Sequence, residues 1–328
     1  MAAGATVLGA RDSSQIGCAD EPGRSARDAI SRSELFGILY LLGIANALAA
    51  LIFPAIHSED VWQAFRQVRD IDVVLMASAV GIYLLRQSPH APVECCDWLM
   101  AAAVAFLLLV PHRAASWIAV TGLALYAICR DRRSTTAVAA ASVFFAIAAS
   151  SFWGLVLVQT FASTLLAWDA ALAAALLDVL THGAVDRTGN VIVTSDQTTL
   201  FVMVWCSFVP NLLYGFLCWT VIARAVRPAW RPMDLFALLA VAGLILTTNT
   251  LRLALMGLSA DTYEWVHGSV GGNVFNVGLL LVIAAIALRS AAPAASSLGH
   301  ERSVPRGGEP VREGGELRRR DRRSLRAG

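Results

Sequence analysis

Apolar residues along this chain are gathered into long, nearly uninterrupted blocks, separated by short polar stretches rich in Arg, Asp, Ser and Pro. A helix that crosses a bilayer needs about 20 mostly apolar residues. Eight blocks approach that requirement: residues 34–56, 71–86, 97–111, 114–129, 135–158, 201–224, 235–257 and 273–289. The third and fourth are short and share the turn Pro111–His112–Arg113, which predicts a tight helical hairpin. Residues 160–180 are also apolar, yet a ninth crossing there would carry Asp169 and Asp178 into lipid, at about 2.5–3.5 kcal/mol each. An amphipathic helix lying on the outer surface is expected instead. The polar stretch Asp186–Thr194 follows, with a Gly189–Asn190 turn and then Val191, Ile192 and Val193, and predicts a short hairpin leading into the sixth block. The pattern as a whole predicts an all-α, polytopic integral membrane protein of about eight transmembrane helices.

Charge gives the expected orientation. All 26 basic residues are Arg. One set of connections holds Arg86, then Arg130, Arg132 and Arg133, then Arg224, Arg227 and Arg231, and both tails join this set. The opposite set holds only Arg66, Arg69, Arg113 and Arg187, the first two among Glu59, Asp60, Asp70 and Asp72. By the positive-inside rule this alternation predicts eight crossings with both termini in the cytoplasm, and a ninth crossing at 160–180 would break it. The expected organisation is a polar N-terminal tail (1–33), a membrane domain (34–289) and a disordered Arg-rich tail (290–328). The first apolar block is too long for the core of a secretory signal and is read as a retained span.

Composition narrows the class. Apolar residues make up 57% of the chain and charged residues 15%, with a mean hydropathy of +0.61. Outside the two tails the charged share falls to about 11%, against roughly 25% in a soluble domain. That excludes an ordinary cytosolic enzyme, a disordered protein and a small disulfide-stapled domain. The run Arg318–Arg319–Arg320–Asp321–Arg322–Arg323 has the charge of a nucleic-acid arm, but beside a membrane domain it is expected to face anionic lipid. The bilayer is the expected partner, and no nucleic acid is.

In such a chain the costly polar residues are the informative ones. Arg252 falls inside the seventh block, five residues from its outer end, with Asn249 on the same helix face at i, i−3. Buried guanidinium groups face a cavity or a partner; the competing reading is an Arg that snorkels to the headgroups. Cys206 and Cys218 fall in the sixth block, 12 residues or about 18 Å apart along a helix, too far for a disulfide. On the expected topology Cys18, Cys95, Cys96 and Cys129 are cytoplasmic, so Cys206 is the single thiol near the outer face. Its competing reading is a small hydrophobe. His267 lies in the connection Ser259–Gly268 and could equally be a solvated loop residue like His57, His112 and His182. No HExxH or CxxC spacing occurs, so neither a metal nor a cofactor is expected. A thiol, a cation and a His at one depth are what nucleophilic acyl chemistry needs. The thiolate must be stabilised, the oxyanion must meet a positive donor, and the leaving amine must receive a proton.

These residues stand in an order that resembles the exosortase/archaeosortase family of polytopic membrane cysteine transpeptidases. The resemblance covers about residues 180–289 and runs through Gly189–Asn190–Val191–Ile192, Cys206–Ser207, Asn249–Thr250–Leu251–Arg252, and His267 followed by Gly271 and Phe275. Residues 1–170 match only in hydropathy. The resemblance implies Cys206 as nucleophile, Arg252 as stabiliser of thiolate and oxyanion, and His267 as general acid and base. It implies a site at the outer face of the cytoplasmic membrane. The implied substrates are exported proteins whose C-terminal signal is a short motif, a hydrophobic helix and a basic cluster. The family usually carries Gly after the Cys–Ser pair, often with an Arg soon after. Here Phe208, Val209, Pro210 and Asn211 follow, and Pro210 is expected to bend the helix instead. The rival readings are a transporter or assembly scaffold, or a family member that binds a sorting signal without cutting it.

Overall fold

The computed structural model describes residues 30–56, 71–182, 185–194 and 199–292. Cys18, His57, Arg66, Arg69 and nearly all of both tails lie outside the described residues. Each of the eight apolar blocks contains a helix. In chain order the helices are α1 (Arg32–Ile56), α2 (Ile71–Arg86), α3 (Cys95–Leu109), α4 (Arg113–Arg130), α5 (Thr135–Ala148), α6 (Gly154–Thr181), α7 (Phe208–Val226), α8 (Pro232–Met256), α9 (Ala260–His267) and α10 (Ser269–Ala291). Among the described residues five uninterrupted helical runs are long and apolar enough to cross a membrane: Arg32–Ala49, Thr135–Thr181, Phe208–Val226, Pro232–Met256 and Val270–Ala291. The protein is therefore a mostly helical chain with the helices of a membrane-embedded fold. α2 and α3, at 16 and 15 residues, span only about 23–24 Å against a hydrocarbon core of about 30 Å.

The expected helix at 160–180 is not a separate element. α5 passes through a π-helical turn, Ala149–Trp153, into α6, giving a 47-residue run with a kink at Phe161. At 1.5 Å per residue that is about 70 Å, more than twice a crossing. Nothing in this stretch stops a helix, because it has no Pro and its one Gly, Gly154, sits at the join of the π-turn and α6. The kink lets the second half turn its Ala-rich face inward, burying Leu166, Ala170, Ala173 and Leu177.

Two ion clusters, each centred on a buried Arg–Asp pair, tie together the helix ends that the Arg alternation groups on one side. Arg32, at the start of α1, donates from Nε to Asp97 and from Nη1 to Asp131, both at 2.8 Å, and from Nη2 to Glu94 at 3.1 Å. Arg130 pairs with the same Glu94. Arg224, at the end of α7, donates to Asp234 at the start of α8 at 2.6 Å and stacks over Trp230 at 4.1 Å from the ring centre. Trp230 in turn donates to Ser142 in α5 at 3.3 Å. The starts of α1, α3, α5 and α8 therefore share an end with the finishes of α4 and α7. That is the arrangement up-and-down helices with short connections require.

Among the described residues apolar packing falls into three clusters. One joins α1 to α5, a second joins α7, α8 and α10, and a third sits at the opposite end from the ion clusters. The third holds Leu166, Ala170 and Leu177 of α6, Leu253 and Met256 of α8 and Val266 of α9, together with Ile192 and Leu200 of a small sheet. That sheet is antiparallel, β1 (Val185–Thr188), β2 (Val191–Thr194) and β3 (Thr199–Phe201), in the order β1-β2-β3. Thr188 pairs with Val191 across the expected Gly189–Asn190 turn. Gly189 takes φ +61, the left-handed value that a two-residue hairpin with Gly at its first central position demands. The third strand occupies the start of the expected sixth block, which shortens the helix there to begin at Phe208.

Candidate functional site

Cys206 stands before α7 rather than within it. Val204–Cys206 form one turn of 3-10 helix, and Ser207 caps α7 by accepting from the Val209 N–H. Pro210 falls in the first turn of α7, where the backbone N–H has no helical partner to lose, so it fits without bending the helix. Cys218 lies inside α7 and is buried, whereas Cys206 is half-buried.

Three residues distant in sequence hold this turn. The Asn190 side chain donates to the Val202 carbonyl at 3.0 Å, and the Val202 N–H donates back to the Asn190 carbonyl at 3.0 Å. The hairpin turn thereby anchors the strand end four residues before Cys206. Asn249 of α8 donates from Nδ2 to the Cys206 carbonyl at 3.0 Å and to Asp169 Oδ1 at 3.3 Å. Asp169 of α6, 2% exposed, also accepts from the Phe208 N–H at 3.4 Å and from the Ser207 side chain. The backbone on both sides of the Cys206–Ser207 bond is thus pinned to α8 and α6 together. A carboxylate in an apolar layer is tolerated because these three donors converge on it.

Arg252 lies one turn beyond Asn249 on α8 and is partly buried. It lines a small pocket with Asn211 of α7, Thr248 and Asn249 of α8, and Phe275 and Asn276 of α10. Its Nε is buried without a hydrogen-bond partner, and among the described residues no acid pairs with it. This pocket is a polar enclave between three otherwise apolar helices.

His267 ends α9, a helix absent from the expected connection. The Ser259–Thr262 capping box starts that helix, a local signal that the sequence carries openly. The imidazole is exposed and stacks on Tyr263, with ring centres 5.3 Å apart. Gly271 sets how closely α10 follows α9, since a Cβ there would lie 2.1 Å from the Trp265 carbonyl oxygen. Asn249 therefore links Cys206 and Arg252, by bonding to one and preceding the other on a shared face. His267 has no hydrogen bond to either. Sequence reasoning left Asp169 on a surface helix and passed over Asn211 and Asn276. An acid in an apolar run and amides in two spans were the signals available.

Comparison of the chain with protein-family models, with curated proteins and with solved structures finds no match.

Proposed function

We propose that this protein is a membrane-embedded cysteine protease or transpeptidase that resembles exosortases. In this reading eight helices cross the cytoplasmic membrane, both termini are cytoplasmic, and the site faces the extracytoplasmic side. Substrates are exported proteins ending in a short motif, an apolar helix and a basic cluster. The supporting observation is the junction at Asn249. Its side chain holds the Cys206 backbone while Arg252, one turn on, offers an unpartnered donor in the pocket beside it. A nucleophile on a pinned turn, with an unpaired cation one helical turn from the residue that pins it, is an arrangement from which an oxyanion can be stabilised.

The chemistry proceeds in two steps. The Cys206 thiolate attacks the scissile carbonyl, Arg252 balances the charge on oxygen, and the C–N bond breaks as His267 gives the departing amine its proton. Water or an amine acceptor then attacks the thioester, His267 takes up a proton from it, and the Cys206 thiolate is released. A second reading, a protein that binds a sorting signal without cutting it, is favoured by the exposed His267 with no bond to Cys206. Processing of a co-expressed protein bearing such a C-terminal signal separates the readings. Cys206→Ser and Arg252→Lys are expected to abolish cleavage while the protein still inserts at normal levels, because Lys lacks the planar fork of Arg. Undiminished cleavage in Cys206→Ser would falsify the enzyme reading.

A further inference from the structure

A second, larger cavity opens on the other side of the Cys206 turn. It is a groove of about 380 Å³ running between α1, α2 and α4 on one wall and the π-turn, α6 and α7 on the other. Leu48, Val74, Trp117, Leu155, Val158 and Leu217 make its surface apolar, and Val204 and Trp205 close it next to Cys206. Among the described residues its single charged one is Arg113.

Arg113 is placed to attract an anion. It is the first residue of α4, where the free N–H groups of the first helical turn and the helix dipole add positive potential. Nη2 donates to the Ser151 carbonyl at 3.1 Å, a neutral partner, and Nε is buried with no partner at all. Among the described residues no acid lines the groove and none pairs with Arg113. The guanidinium also stands at a telling depth. α3 is about 23 Å long, so the α3–α4 turn lies about 7 Å short of a full hydrocarbon thickness of about 30 Å from the ion clusters, a gap that the long Arg113 side chain covers toward the opposite headgroup layer. Trp205, 79% exposed, marks the same level with the side chain most at home at a membrane interface.

We propose that this groove binds a phospholipid, with its phosphate on Arg113 and an acyl chain along the apolar wall. Charge and polarity both require an amphiphile: a free anion leaves the walls in contact with water, and an uncharged chain leaves the guanidinium without its counter-ion. Arg offers two parallel N–H donors to a phosphate, which suits a headgroup held in one orientation. The site is independent of the transpeptidase reading. It needs no chemistry at Cys206 and stands or falls on lipid retention alone.

The test is native mass spectrometry of the full-length protein, purified in detergent, stripped of lipid and titrated with dioleoyl phosphatidylglycerol, dioleoylglycerol or glycerophosphate. One phosphatidylglycerol is expected to stay bound per chain, at least tenfold more strongly than either partial ligand. Arg113→Gln is expected to remove that tenfold preference. Leu155→Trp, which fills the groove without touching the charge, is expected to weaken retention by a similar factor. The comparison among ligands uses the unaltered protein, so the proposal remains testable even if a variant fails to fold. Equal retention of dioleoylglycerol would make the groove a plain apolar surface, and equal retention of glycerophosphate a free-anion site. Retention of a synthetic apolar helix in place of any lipid would assign the groove to a peptide. Each of these overturns the proposal.

Discussion

Replacing Asn249 by Leu tests whether α8 holds the Cys206 turn in place. Asn249 is 5% exposed, and Leu fills much the same space, so the change removes donors more than volume. Two acceptors lose their partner: the Cys206 carbonyl at 3.0 Å and Asp169 Oδ1 at 3.3 Å. A buried acceptor left unpaired costs about 1–3 kcal/mol. Asp169 keeps its contacts with Phe208 and Ser207, and Cys206 is half-buried, so both losses belong at the low end. Hydrogen bonds between helices of membrane proteins average about 0.6 kcal/mol, with a ceiling near 1.7. Together these figures give a net loss of about 2 kcal/mol. Equilibrium unfolding in mixed micelles, followed by Trp fluorescence, measures it. Timed alkylation with mass spectrometry gives an independent readout: the loosened turn is expected to expose the Cys206 thiol and speed its modification several-fold. Ile245→Val, one turn earlier on α8, trims packing alone and is expected to cost about 0.5–1.5 kcal/mol without changing that rate. If Asn249→Leu unfolds within about 0.5 kcal/mol of the parent and Cys206 reacts no faster, the turn is held by something other than Asn249.

Arg32→Met is expected to destabilise the fold by about 3–5 kcal/mol, measured in the same unfolding assay, because Asp97 is fully buried and would lose its cation. A loss under 1 kcal/mol would mean the cluster is relaxed or hydrated. Cys96 and Cys129 are exposed near the ion-cluster end, so an impermeant maleimide is expected to label them only in permeabilised cells; labelling in intact cells would reverse the proposed orientation. Cys206 is expected to alkylate faster than buried Cys218, and exposure alone explains that much. The informative part is a further slowing of Cys206 in Arg252→Ala, and an unchanged rate there would leave Cys206 without an activating cation.

Local signals carried the helices. Long apolar blocks whose prolines fall only near their ends fold as helices wherever they pack, so a helix could be placed in each of the eight segments from hydropathy alone, although in the sixth it begins only at Phe208. The Gly189–Asn190 turn was equally local, since a positive φ next to β-branched residues leaves few alternatives to a hairpin. The Arg alternation grouped helix ends that the ion clusters then join, because both follow from chain direction in an up-and-down bundle.

What surrounds the candidate nucleophile was decided by groups far apart in the chain. Asp169 lies 39 residues before the Phe208 N–H that it accepts from, and Asn249 lies 43 after the carbonyl to which it donates. No periodicity in either stretch announces those partners. Their convergence draws Cys206 off the helix into a 3-10 turn and turns an acid expected at the surface into a buried hub. Burial of that acid also required α6 to continue from α5 through the π-turn, a path set by packing against α8 and the small sheet. Sequence spacing singled out Cys206, Arg252 and His267 as candidates. Only the fold determined that Cys206 and Arg252 share Asn249 while His267 stands apart on its own short helix, because hydrogen bonds and burial depend on distances in space rather than along the chain.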